Sequence, residues 1–177
     1  MGTHEQFLNV PTCIGKGKDL TGHMIQSRVM ALDVGDRTVG IALSDELRLT
    51  AQPLKTIRYK GEHEFKKIFT ELTELLESQN VTTIVIGLPI NMNGSEGPQA
   101  AKVRDFTNRW QKFLDKNEKK TDSLEWICWD ERLSTAGAER HLIDADVSRN
   151  KRREVIDTMA AVFILQGYLS QLVHESL

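Results

Sequence analysis

The stretch Val29–Ser44, VMALDVGDRTVGIALS, decides how the rest of this chain is read. Two apolar runs, VMALDV and TVGIALS, flank Gly35, Asp36 and Arg37, which is the pattern of strand, tight turn and strand. Within the first run Asp33 is an anomaly, because a carboxylate among apolar neighbours is costly to bury without a partner. A cation or hydrogen-bond donors would compensate, and Gly35 lets the chain turn closely enough beside it to leave room for an ion or a phosphate. A strand-end Asp accepting backbone hydrogen bonds in a turn explains the same residue equally well.

Downstream, Leu49–Ile57 offers a third strand whose pairing Pro53 limits. Phe65, Ile68, Phe69, Leu72, Leu75 and Leu76 recur at helical intervals and predict a helix over 62–79. TTIVIGL, Thr82–Leu88, is a β-branched run suited to a buried central strand, and the loop NMNGSEGP follows it. A second helix starts at Pro98 with Val103, Phe106, Trp110, Phe113 and Leu114 on one stripe, and the polar segment Lys116–Asp122 ends it. Leu124–Trp129 reads as a further strand, Ser134 or Thr135 as the cap of a short helix to about Leu142, and 154–173 as a final helix lying on the sheet. This order describes an α/β layer structure whose first strands form an antiparallel meander.

Bulk properties fit one domain. The 177 residues, 40% hydrophobic, suffice for one substantial core and leave little for a second. Residues 1–27 are polar and lack periodicity, so a loosely ordered extension is expected before a domain spanning 28–177. Met24 stands near that boundary as the expected natural start, which an intact mass beginning at residue 1 or 2 would refute. The net charge of −2 gives no whole-molecule attraction to phosphate, so nucleic-acid affinity must come from local basic patches. Cys13 and Cys128 are far apart and the histidines are scattered, which argues against a zinc site and suits a reducing compartment. No apolar run approaches a membrane span and the first residues do not read as a secretory signal, so a cytoplasmic location without membrane contact is expected.

Two further acidic positions repeat the anomaly of Asp33. Asp157 shares a helix face with Ala160, Ala161 and Ile164, although a helix-dipole role would also account for it. Asp130 and Glu131 end the strand LEWICW, where they could line a site or simply pair with Arg132. Carboxylates from two strand regions and one helix could converge at one sheet edge. Such hard oxygens suit Mg²⁺ or Mn²⁺, and a pair of these ions about 3.5–4 Å apart supports phosphodiester hydrolysis.

LDVGDRTVGIALSD, IVIGLPINMNGSEGPQA, WDERLSTAGAE and VIDTMAAVFILQGYL, taken together and in this order, resemble the YqgF/RuvX family of Holliday junction resolvase-like proteins, also described as pre-16S rRNA nucleases. The resemblance runs from residue 28 to about 172. It implies a ribonuclease H-like fold related to RuvC, with a mixed five-stranded sheet and flanking helices. It also implies a divalent-metal nuclease that matures the 5′ end of 16S rRNA, with metal-site and catalytic roles for Asp33, Glu131 and Asp157 and with Asp130 as a further candidate ligand.

For holding nucleic acid the best segment is SRNKRRE, with Arg149, Lys151, Arg152 and Arg153 just before the helix of Asp157, although a solvated loop would carry the same charges. Lys102, Arg104, Arg109 and Lys112 form either a second basic stripe or an ordinary exposed helix face. Asn91, Asn93 and Gly94 either present amides to phosphate or make a simple turn. Three other functions compete: a junction resolvase, which would act as a dimer rather than a monomer; a noncatalytic RNA-binding assembly factor; and a phosphotransfer enzyme of the actin-like sugar kinase type. The last needs two such domains and a second glycine-rich loop not found in this sequence.

Overall fold

The computed structural model describes residues 27–117, 124–133 and 149–175, with the side chains of the last stretch described from Thr158 to His174. Five strands form one mixed sheet: β1 (Arg28–Val34), β2 (Thr38–Ser44), β3 (Ala51–Arg58), β4 (Val81–Leu88) and β5 (Glu125–Asp130). Their order is β3-β2-β1-β4-β5, with β1, β2 and β3 antiparallel and β1, β4 and β5 parallel. The expected meander and the mixed five-stranded sheet are both present. Pro53 sits in β3, an edge strand, beside a bulge where Ile41 and Ala42 face Lys55 and Pro53. An edge is where a residue without an amide hydrogen does least harm.

Helices cover both faces. On one lie α1 (Phe65–Ser78) and α2 (Pro98–Lys116), whose buried stripes include Ile68, Phe69, Leu72 and Leu76 from α1 and Val103, Phe106, Trp110 and Leu114 from α2. They meet Met30, Leu32, Ile41, Ile84 and Ile86 in the larger core. The predicted helix over 62–79 divides: Glu62–Glu64 is a 3₁₀ turn closed by the Glu64 amide on the Gly61 carbonyl, and α1 ends at Ser78, after which Asn80, with a left-handed φ of 51°, turns the chain toward β4. The proline that opens α2 occupies a first-turn position, as expected.

The opposite face is covered by α3 (Arg149–Glu175). Ala161, Ile164, Leu165, Tyr168 and Leu169 pack there on Val29, Ala31, Ala42, Val85 and Trp129. This helix begins five residues before the expected 154, so Arg149–Arg153 are helical rather than loop. Arginine and lysine are good helix formers even where no apolar period advertises a helix. The short helix expected to end near Leu142 and the extension 1–26 lie outside the described residues. Among the described residues, no helix is long and apolar enough to cross a membrane.

Candidate active site

Strand parity sorts the acidic residues by face. Val29 and Ala31 belong to the core under α3, whereas Met30 and Leu32 belong to the core under α1 and α2. Asp33, two residues beyond Ala31, therefore lies on the α3 face near the carboxyl end of β1, where it is partly buried. Its cross-strand partner is Gly40, which in turn faces Thr56. On the other side Leu32 pairs with Ile86, so the next step along both strands sets Asp33 beside Gly87. Asp33 thus has glycine on both neighbouring strands, and the backbone on either side of it is bare.

Glu131 enters the same space from β5. It follows Trp129, an α3-face residue that pairs with Gly87, and it opens the 3₁₀ turn Glu131–Leu133. A β-carbon placed on Gly87 would lie 2.7 Å from Oε1 of Glu131 and would collide with Cδ1 of Ile164. The Glu131 carboxylate therefore occupies the volume that any side chain at position 87 would take. Adjacent strands are spaced about 4.8 Å apart, so Asp33 on β1 is one strand away from the Gly87 position over which the Glu131 carboxylate lies, on the same face of the sheet.

This position stands at a topological switch point. From β1 the chain leaves by a hairpin toward β2, while from β4 it leaves through α2 toward β5, in the opposite direction. In open α/β sheets, ligand sites form beyond the carboxyl ends of strands at such a divergence. Gly35 shapes the rim: its amide donates to the Thr38 carbonyl at 2.8 Å, and its own carbonyl accepts the Tyr59 hydroxyl at 2.6 Å.

Asp157 lies in α3 roughly two turns beyond Arg149, past the reach of a first-turn dipole effect. It is seven residues before Ile164 and so on the same helical stripe. The residue after it, Thr158, shares a 2.6 Å hydroxyl–hydroxyl hydrogen bond with Thr56, in the cross-strand row of Asp33. The side chain of Asp157 lies outside the described residues. Among those that are described, no three metal-ligating side chains form one group.

Asp130 faces elsewhere. Its parity is that of Trp126, on the α1–α2 side, and its carboxylate is gripped by Arg132, with Nη2 at 2.6 Å and Nε at 3.0 and 3.1 Å from the two oxygens. The Arg132 amide also donates to Asp130 Oδ1 at 3.0 Å. These bonds to the Arg132 side chain hold the Asp130 carboxyl below the usual carboxylate range. The Asp130 oxygens are thus engaged by Arg132, and by strand parity Asp130 stands on the opposite face from Asp33 and Glu131.

The family model RuvX, described as Holliday junction resolvase, matches residues 27–171. The chain belongs to the RuvX family. A relative from Clostridioides difficile named "Putative pre-16S rRNA nuclease" is 52% identical over 146 residues, covering 82% of this chain and 96% of the relative. Relatives of the same name from Bacillus cytotoxicus and Staphylococcus aureus are 50% and 49% identical, covering 80% and 84% of this chain and 97% and 99% of theirs. Among solved structures, Thermus thermophilus RuvC in complex with a Holliday junction substrate superposes with a TM-score of 0.53 at 10% identity, covering 82% of this chain and 96% of that one. The fold is therefore the ribonuclease H-like one that the sequence motifs implied.

Other candidate residues of this RuvX chain fall into three sets. The stripe on α2 is largely neutralised: Lys102 pairs with Asp36 at 2.6 Å, Arg109 with Glu62 and Asp105 at 2.8 Å each, and Arg104 with Glu96. An exposed helix face explains it. The Asn91–Ser95 loop turns its polar groups on itself, with the Asn91 amide on the Ser95 carbonyl at 2.9 Å, the Gly94 amide on the Asn91 carbonyl at 2.9 Å and Gly94 at φ 82°. A simple turn explains that loop. Arg149, Lys151, Arg152 and Arg153 occupy the first turns of α3, and their side chains lie outside the described residues. What the sequence did not single out is Gly87, although a glycine interrupting the run TTIVIGL was the available signal.

Proposed function

We propose that this chain is a divalent-metal-dependent endonuclease that hydrolyses phosphodiester bonds in the cytoplasm, with the 5′ end of precursor 16S rRNA as its substrate. The carrying observation is that Asp33 and Glu131, 98 positions apart in the chain, share one face of the sheet above the bare backbone of Gly87. The names borne by relatives half identical to it favour precursor rRNA, and the description of the family model favours a four-way DNA junction as the second reading.

The donors at this position are carboxylate oxygens, which fit Mg²⁺ or Mn²⁺ better than a softer metal. Asp33 and Glu131 would hold the ion, with Asp157 of α3 as the third carboxylate. When bound, such an ion activates water and stabilises the leaving oxygen. Asp33 and Glu131 would fix where the reactive phosphate comes, because both stand on the α3 face at neighbouring positions of the sheet beside Gly87. Arg149, Lys151, Arg152 and Arg153 hold flanking phosphates from the start of α3. Residues 28–177 carry the activity, and 1–27 are an extension outside it.

The test compares wild type with Asp33→Asn, Glu131→Gln and Asp157→Asn on precursor 16S rRNA and on a four-way DNA junction, each with Mg²⁺ and with Mn²⁺. Loss of cleavage by at least 100-fold in all three variants is expected, on the RNA. Undiminished cleavage by Asp33→Asn would overturn the catalytic assignment, and cleavage of the junction alone would overturn the RNA assignment. A chain beginning at Arg28 should cleave as the full chain does.

A further inference from the structure

We propose that Arg132 and Asp130 form a clamp that positions Glu131 over Gly87, so that Arg132 governs the metal affinity of the site without touching metal or nucleic acid. This rests on the reading of Glu131 as a metal-holding carboxylate.

Glu131 is the middle residue of the trio Asp130-Glu131-Arg132, and its two neighbours are bonded to each other around it. The guanidinium of Arg132 meets both oxygens of Asp130, its backbone amide caps Oδ1 of the same carboxylate, and its Nη1 donates to the Asn91 carbonyl at 3.2 Å. Three consequences follow. The end of β5 is closed into a tight turn, because the side chain of Asp130 holds both the backbone and the side chain of the residue two positions later. That turn is tied across to the loop after β4, the strand that carries Gly87. And because Asp130 points to the α1–α2 side, Glu131 is left to point to the α3 side, where the absent side chain of Gly87 gives it space.

The clamp is a fork–fork contact between a planar guanidinium and a carboxylate, which fixes orientation as well as position. The Asp130 side chain is only 18% exposed and that of Arg132 37%, so solvent does not dissolve the pair as it would a fully exposed one. A lysine would keep the charge but lose the fork. The competing role for an arginine at this place is direct contact with a substrate phosphate, and the two roles make opposite demands. A phosphate contact sets substrate affinity and its salt dependence, whereas a clamp sets the geometry of Glu131 and therefore the grip on metal.

The experiment measures Mn²⁺ binding to the full chain in the absence of nucleic acid, by the loss of the free-ion electron paramagnetic resonance signal. It also measures kcat, KM and the salt dependence of RNA affinity at saturating Mn²⁺. Arg132→Ala and Arg132→Lys should each weaken Mn²⁺ binding by roughly 10- to 100-fold, the usual effect of removing an outer-shell partner. KM and the slope of log affinity against log salt should stay as in wild type. In a Glu131→Gln background, Arg132→Ala should have no further effect on Mn²⁺ binding, because the residue it positions is already lost. The proposal is overturned by unchanged Mn²⁺ binding in both Arg132 variants, by a salt slope that falls by about one with a raised KM, or by an Arg132→Ala effect that persists undiminished without Glu131. Thermal melting of each variant identifies one that has unfolded, and Arg132→Lys, which keeps the charge, then carries the test. Were Glu131→Gln itself to bind Mn²⁺ and cleave as wild type does, the underlying metal-site reading would fail, an outcome distinct from failure of the clamp.

Discussion

Gly87→Ala is the sharpest probe of the site, because a single methyl group is asked to enter space already taken twice. Its carbon would lie 2.7 Å from Oε1 of Glu131 and closer still to Cδ1 of Ile164. Ile164 is 1% exposed and packed in the core under α3, so it has little room to yield. Overpacking of this kind costs about 1–3 kcal/mol, which urea denaturation would register as a lower midpoint at unchanged slope. The second collision displaces Glu131, so Mn²⁺ binding should weaken as well. Ile164→Val separates the two effects. Alone it should cost about 0.5–1.5 kcal/mol, but combined with Gly87→Ala it removes the very atom the methyl strikes, so the double variant should be more stable than the sum of the singles predicts. Its Mn²⁺ binding should stay weak, since the conflict with Glu131 is untouched. A Gly87→Ala protein within about 0.5 kcal/mol of wild type and with normal Mn²⁺ binding would refute the argument that this glycine is the floor of the site.

Leu72→Ala, which empties a fully buried position between α1 and the sheet, should lower stability by about 2–5 kcal/mol in a denaturant titration. Thr73→Val removes the acceptor of the buried Trp110 indole N–H, bonded at 3.3 Å, and should cost about 1–3 kcal/mol by the same assay. By contrast, Lys102→Ala should change stability by less than about 0.5 kcal/mol, because both members of its pair with Asp36 are exposed. Burial, with Asp36 and Glu62 nearby, raises the Tyr59 phenol above its ordinary 10.0, so its proton is held more tightly in the folded state than in the unfolded one. Its contribution to stability is then complete below pH 10.0 and fades as the pH climbs through the raised value, and Tyr59→Phe should lack this alkaline decline. Phenolate absorbance during a pH titration provides the check.

Much of this architecture is written in local patterns. The hairpin of β1 and β2, the stripes of α1 and α2 and the β-branched run of β4 are each specified by neighbours in sequence, and they fall where periodicity puts them. The start of α3 does not, because Arg149–Arg153 stabilise a helix by propensity and solvation, which leave no apolar period to read. The candidate site divides in the same way. Asp33 was conspicuous as a charge among apolar residues. Arg132 was a legible partner for either Asp130 or Glu131, but which acid takes it was not, since that depends on strand parity at the end of β5. Gly87 was equally silent, because its role lies in what Glu131, 44 residues later, does with the space it leaves.

Pro53 carries a last consequence. It removes one amide donor from β3, and the bulge beside it breaks the regular spacing of that strand, while Lys55 keeps a charge in the same exposed run. A neighbouring molecule that tried to lengthen the sheet at this flank would meet a strand with a missing amide donor and a bulge, beside the Lys55–Glu71 ion pair. An edge interrupted in this way is a poorer template for a further strand than a regular one.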